Sequence, residues 1–327
     1  MKPLKTDLKK LKAISEIIKK SKTFFIAGHV KPDGDSLGSA LALRSVLTRL
    51  GKNAAVYCAD DVPPFLTFLK NSKTIKKSVK QSQKFDCAII LESVDFARMG
   101  NIIAKEQAKK IINIDHHSMF TSFGDVNYVF PNASSTAELV FSLFEYMKIK
   151  LTKDEADCLY TGIVTDTGRF QQLNTTAQAH TAAAKLLETG VKPEEICANV
   201  YGNVSLGSLK LLGLALLNIK TNFNGQFAYS VLTKDMFKQS GAQETETEGI
   251  INFLLSINGV KAACLFKEVD ANSTKISFRS IKTFDVLDIA KRCGGGGHKT
   301  AAGCSLKQNV SQSVEYIKKI LKGKINA

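Results

Sequence analysis

Long apolar runs are missing from this chain. No stretch of its 327 residues approaches the roughly 18 apolar residues that a bilayer-spanning helix needs, so no membrane association is expected. The Lys-rich start, Met1 to Lys20, has neither the continuous apolar segment nor the small-residue cleavage site of a secretory signal. Leu8, Leu11, Ile14 and Ile18 recur there at helical spacing, which predicts an amphipathic helix packed on a domain. The seven cysteines include no Cys-x-x-Cys pair and their number is odd. That excludes a disulfide framework and fits free thiols in a reducing cytosol, so a cytoplasmic location is expected. Arginine is scarce: six of the 45 basic residues, with lysine supplying the rest of a net charge of +15. A phosphate-rich partner suits that balance. A Lys-biased solvated surface suits it equally, so charge alone does not choose. Internal repeats and low-complexity tracts are also absent.

What the chain does have is concentrated chemistry at the ends of apolar strands. Gly28-His29-Val30-Lys31-Pro32-Asp33-Gly34-Asp35-Ser36 follows the strand-like Phe24–Ala27 directly. It carries one imidazole and two alternating carboxylates on a Pro/Gly-shaped turn, a donor set suited to Mn²⁺ or a similar divalent ion. Loops at the carboxyl ends of parallel strands are where open α/β sheets bind ligands. Asp115-His116-His117 follows a second apolar strand, Ile111–Ile114.

The first ~190 residues alternate strands with helices. Strand-like runs are Thr23–Ala27, Ala54–Cys58, Cys87–Leu91 and Ile111–Ile114. Helical periodicity appears at Leu37–Leu50, Thr136–Met147, Lys153–Val164 and Ala177–Leu187. The fold class expected is α/β, with a parallel sheet flanked by crossover helices. Asp35 or Ser36 is placed to cap the first of these helices, and Ser135 with Glu138 reads as a capping box for the next. An apolar helix, Ser205 to Leu217, reads as a connector between two lobes. Beyond it, strands at Gln226–Leu232, Ala262–Phe266 and Lys275–Ser280 alternate with helices near Gln243–Leu255 and Phe284–Arg292. A helix over Val310–Leu321 closes this smaller α/β lobe. The expected boundaries are 1–195 for the first domain, 196–222 for a linker helix and 223–327 for the second domain.

Phosphoester hydrolysis at neutral pH needs a hydroxide nucleophile and relief of charge on the phosphoryl oxygens, and two divalent ions ~3.5–4 Å apart supply both. Holding them takes about six protein ligands. The candidates are His29, Asp33 and Asp35 from the first loop, His116 from the second, Asp166 in Gly162–Arg169, and Glu92 at the end of Cys87–Leu91. A lone Asp-x-Asp is usually a turn or a cap. Its recurrence with Asp-His-His and further carboxylates after successive strands points instead to a metal site. Farther on, Gly294–Gly297 is followed by His298 and then Lys-Thr-Ala-Ala-Gly, which is unlike a linker. Glycines let backbone N–H groups approach an anion, and a helix starting near His298 would add its dipole.

Five motifs together are specific. They are His29-x-x-Pro-Asp-Gly-Asp-Ser-x-Gly38, Asp115-His-His117, Asn132-x-Ser-Ser-Thr-Ala-Glu138, Thr161-Gly-Ile-x-Thr-Asp-Thr-Gly168 and Gly294-Gly-Gly-Gly-His-x-x-Ala-Ala-Gly303. With them the chain resembles the DHH phosphoesterases that carry a DHHA1 domain, and within these the group acting on short oligoribonucleotides and 3′-phosphoadenosine 5′-phosphate (pAp). The resemblance implies a first (DHH) domain that carries two Mn²⁺ ions, with Co²⁺ or Mg²⁺ as substitutes. A second (DHHA1) domain would recognise the nucleotide across a cleft. It implies His29 and Asp33 on one ion, Asp35, His116 and Asp166 on the other, and the residue at 92 bridging both. His117 would face the substrate phosphate and Asp115 would orient the histidines. Gly295, Gly296, Gly297 and His298 would form a substrate loop, with Arg279 gripping phosphate through its planar guanidinium. Expected partners are short RNA or DNA oligomers and phosphorylated adenosine nucleotides, and a homodimer is compatible with these features.

One position departs from the family, which usually has Asp where this chain has Glu92. The extra methylene shifts the carboxylate by about a bond length, a displacement to which catalytic geometry is sensitive. The competing readings are a phosphodiesterase for linear dinucleotides derived from cyclic ones, and a weakly active or non-catalytic nucleotide-binding homologue.

Overall fold

A computed structural model describes residues 5–117, 121–202, 204–247 and 249–325. The chain divides into two compact units, Met1–Asn203 and Val204–Ala327. In the first, helix α1 (Lys5–Lys20) is followed by β1 (Thr23–Ala27), α2 (Gly34–Arg49), β2 (Asn53–Tyr57), β3 (Phe85–Leu91), β4 (Ala108–Asp115) and β5 (Val126–Val129). The remaining helices of this unit are α3 (Thr136–Tyr146), α4 (Lys153–Asp166), α5 (Ala177–Leu187) and α6 (Pro193–Tyr201). The five strands form one sheet in the order β2-β1-β3-β4-β5, every pair parallel.

Because side chains alternate across a strand, each strand feeds two cores. Phe24, Ile26, Cys87, Ile89, Leu91, Ile112 and Ile114 face the helical layer. Phe25, Ala27, Phe85, Ala88, Ile90 and Ile111 face a second cluster closed by Tyr57, Met99 and Ile103. There Phe25 stacks on Tyr57 at 4.7 Å and meets Phe85 edge-on. Helix α1 buries Leu11, Ile14 and Ile18, as the periodicity predicts, while Leu8 stays exposed.

Strand order reverses between β1 and β3. The chain leaves β1 through α2 toward β2, then returns past β1 to build β3 and β4. A crevice at the carboxyl ends of the strands is expected at such a switch point. The three loops carrying His29–Asp35, Glu92 and Asp115–His117 all start there.

The second unit holds α7 (Leu206–Leu217), β6 (Lys220–Asn222), β7 (Phe227–Leu232), α8 (Lys234–Ser240), α9 (Ile250–Leu255), β8 (Ala262–Asp270), β9 (Ser273–Ser280), α10 (Leu287–Arg292), β10 (Gly296–His298), β11 (Ala301–Leu306) and α11 (Val310–Ile325). Its sheet runs β10-β11-β9-β8-β7-β6, antiparallel except for the β7–β8 pair. Helix α7, expected as a connector, packs within this unit: Leu211 and Ala215 are buried with Ala228, Leu232 and Leu254. The helix expected over 243–255 is only Ile250–Leu255. No single helix among the described residues is long and apolar enough to cross a membrane.

Candidate active site

The first loop is shaped by helix α2. Its N-cap is Asp33, whose carboxylate accepts from the Ser36 N–H at 2.9 Å, not Asp35 or Ser36 as expected. Asp35 is thereby free to reach elsewhere. Its two oxygens accept from the first N–H groups of α3, Thr136 at 2.6 Å and Ala137 at 2.7 Å. Those orphan donors at a helix start favour a carboxylate. Helix α3 is capped by Ser135, which accepts from the Glu138 N–H. Glu138 does not complete the expected capping box. It accepts instead from the N–H and hydroxyl of Ser134, at 2.9 and 2.7 Å.

Helix α4 brings the last carboxylate, because Asp166 is its final residue. Gly162, one turn earlier, allows the approach. A Cβ there would stand 2.6 Å from the Ala137 side chain and 2.8 Å from the Asp35 carboxylate.

All six candidate ligands converge. Three groups have donor atoms within 4.8 Å of one another: His29, Asp33 and Glu92; Asp35, His116 and Asp166; and Glu92, His116 and His117. Glu92 lies between the two histidines, with Oε2 3.7 Å from His29 Nε2 and Oε1 3.6 Å from His116 Nε2. His29 Nε2 is 3.5 Å from Asp33, and His116 Nε2 is 3.5 Å from Asp166 and 4.0 Å from Asp35. The His29 Nδ1–H donates to the Val30 carbonyl at 2.7 Å, which leaves the Nε2 lone pair aimed at the carboxylates. Glu92 is 2% exposed and holds a left-handed φ of 50°. Strain of that kind is of order 1–3 kcal/mol and persists where the surroundings dictate it.

The electrostatics are unfavourable without a cation. Burial, then the neighbouring carboxylates Asp35 and Asp33, pushes Glu92 well above the ordinary range. Burial also raises Asp35. Asp166 is pushed up to about 8, by burial and then by Asp35 and Asp33. Glu92 Oε2 and His116 Nε2 are buried with no hydrogen-bond partner among the described residues. Orphaned lone pairs on crowded like charges are what divalent cations would satisfy, so the donor set fits a pair of such ions.

Asp115 is buried at the end of β4 and accepts from His117 twice, from its N–H at 3.0 Å and its Nδ1–H at 2.8 Å. Its partner is therefore His117, not both histidines as expected. Burial opposes its charge, but these bonds hold it below the usual carboxylate range.

Arg279 and the glycine run lie in the second unit. The helix expected from His298 is a β-hairpin, with β10 paired antiparallel to β11 and Gly297 opposite Ala302. Gly297 has φ 136°, and a Cβ there would meet the Ala301 carbonyl at 2.5 Å, so only glycine lets the strands close. His298 pairs with Ala301, which pairs with Arg279. Paired residues share a face, so His298 and Arg279 lie on one side of this sheet, one strand apart.

Two contributors escaped the sequence. The α3 amide pair that holds Asp35 could have been suspected from Ser135, which marks that helix start. Asn174, whose amide donates to the Asp166 carboxylate at 3.1 Å, has no such signal. Asn-Thr-Thr before a helix reads as ordinary capping.

The family model described as "DHH family, N-terminal domain" matches residues 23–163, and the DHHA1 domain model matches 224–327. The bifunctional oligoribonuclease and PAP phosphatase NrnA of Thermus thermophilus is 32% identical over 91% of this chain and 89% of its own length. The chain belongs to the DHH family. It is accordingly a hydrolase of phosphoesters with a DHHA1 domain. The cyclic-di-AMP phosphodiesterase PdeA of Listeria monocytogenes is 27% identical over 90% of this chain but only 46% of its own length. Among solved structures, an exopolyphosphatase-related protein from Bacteroides fragilis superposes with a TM-score of 0.88 at 28% identity, covering 97% of each chain. The DHH architecture, with its His/Asp clusters, suits divalent metal binding.

Proposed function

We propose that this enzyme hydrolyses very short oligonucleotides and pAp, using two divalent ions, Mn²⁺ foremost. The observation that supports this most is the convergence of four carboxylates, Asp33, Asp35, Glu92 and Asp166, with the imidazoles of His29 and His116, leaving buried lone pairs on Glu92 and His116 unpartnered. His29 and Asp33 would hold one ion and Asp35, His116 and Asp166 the other, with Glu92 between them. When bound, such a pair supplies a nucleophile at neutral pH and takes up charge from the phosphoryl oxygens.

The chain's own groups then have separate tasks. The Val30 carbonyl fixes the His29 tautomer. The α3 amides hold the Asp35 carboxylate in place. Asp115 binds His117 Nδ1–H and so fixes the ring, which leaves Nε2 as the atom that would face the substrate phosphate. In the second unit Arg279 and His298 would bind a further phosphate, and the hairpin glycines would offer backbone N–H groups. The names of the NrnA relatives support oligoribonucleotides and pAp as substrates, and PdeA keeps linear dinucleotides in the comparison.

Hydrolysis of pAp, a dinucleotide and a 20-mer should be measured side by side, with Mn²⁺ and with chelator. Turnover of pAp and the dinucleotide with Mn²⁺, little of the 20-mer, and none under chelation is expected. Faster degradation of the 20-mer than of either short substrate would refute the assignment.

A further inference from the structure

Asp166 is the last residue of α4, where neither its carbonyl nor its carboxylate has support from the helix itself. Both are taken by one side chain. Asn174 Nδ2 donates to the Asp166 carboxylate at 3.1 Å and to its carbonyl at 3.1 Å. The same nitrogen donates to the Ser134 carbonyl at 2.8 Å. All three partners are acceptors, so the amide orientation is fixed by chemistry. Ser134 directly precedes the α3 cap, and the α3 amides hold Asp35. Asn174 therefore ties the start of the helix whose amides hold Asp35 to the end of the helix that carries Asp166.

The chain returns to Asp166 by an unusual path. Gly168, Arg169 and Phe170 are consecutive left-handed residues, at φ 53°, 60° and 62°, two of them with side chains that disfavour this conformation. Local contacts hold the turn. Thr167 is buried; its hydroxyl donates to the Ile163 carbonyl at 2.6 Å and accepts from the Phe170 N–H at 3.2 Å. The Arg169 N–H reaches the Val164 carbonyl at 2.8 Å. The Arg169 guanidinium lies over the Tyr201 ring at 4.7 Å, and Phe170 stacks on His180 at 4.8 Å. Strained backbone fixed this firmly is typical of a segment whose endpoint matters. That endpoint is the Asn174 amide, placed against the carboxylate eight residues back.

We infer that Asn174 is a positioning residue for the second ion. The left-handed turn 168–170 delivers its amide, which aims the Asp166 carboxylate at the ion without adding charge. A lysine there would donate equally well but would neutralise Asp166 and repel the cation. A neutral amide does neither. Partners of this kind behind a ligand typically alter metal affinity by about 10–100-fold.

The inference rests on the two-ion reading above, and one set of experiments separates them. Mn²⁺ is titrated calorimetrically into metal-free wild type and Asn174→Ala, and thermal unfolding of both is followed with and without Mn²⁺. Wild type should bind two ions. Asn174→Ala should bind one of them on the order of 10–100-fold more weakly, and should lose most of that ion's share of the Mn²⁺-induced rise in Tm. A merely structural role would lower both Tm values equally and leave the affinities alone, which would overturn the inference. Should Asn174→Ala not fold, Asn174→Gln keeps an amide while displacing it, and is read the same way. A wild type that binds no Mn²⁺ would instead refute the metal reading itself.

Discussion

Glu92 is where a single residue decides most. The sequence placed it after β3 and marked it as a departure from the family's Asp. Its burial, left-handed backbone and position between His29 and His116 come only from the fold. If it bridges two ions, Glu92→Gln should cut kcat by several orders of magnitude, because a neutral amide cannot offset two dications. Glu92→Asp restores the family's side-chain length and should keep or raise activity. Steady-state kinetics on pAp and a dinucleotide read both variants, and an undiminished Glu92→Gln would remove residue 92 from the ligand set. His29, Asp33, Asp35, His116 and Asp166 were legible because each follows a strand or ends a helix within a short motif. Asn174 was not. Its role depends on a left-handed return that no spacing rule encodes.

At the level of elements, the helices and strands of the parallel sheet were readable from apolar alternation and capping residues, to within a few positions. A helix was expected to start near His298, yet Gly296–His298 and Ala301–Leu306 form a hairpin, and Ala301–Leu306 pairs along the whole of Thr274–Arg279. Pairing to an existing strand overrides weak local preference. Helix α7 forms where its apolar sequence predicts, and of its residues Leu211 and Ala215 are buried, against β7 and α9. The hairpin sets His298 and Arg279 on one face of the sheet. If this face binds a substrate phosphate as proposed, Arg279→Ala and His298→Ala should each raise KM for pAp with a smaller change in kcat. Unchanged kinetics in both variants would show that this face does not recognise substrate.

At the scale of the molecule, the strand-order reversal explains why residues from 29 to 166 share one site. Three loops leave the carboxyl ends of adjacent strands, and α3 and α4 bring Asp35's amides and Asp166 beside them. The net charge of +15 does not describe this site, which is locally acidic and strained by its own carboxylates. In the metal-free protein Glu92 is raised well above its usual range and Asp166 to about 8. Asp166 therefore holds a proton at pH 7, which a divalent ion must displace.

Calorimetric titration of metal-free protein with Mn²⁺ at pH 7, repeated in buffers of different ionisation enthalpy, tests the two-ion centre most directly. It counts ions and released protons together. Two ions per chain, binding with net proton release, are expected in the wild type. Asp33→Ala should lose the first ion and Asp166→Ala the second. A wild-type chain that binds no Mn²⁺, or binds it with no proton release, would contradict the two-ion centre.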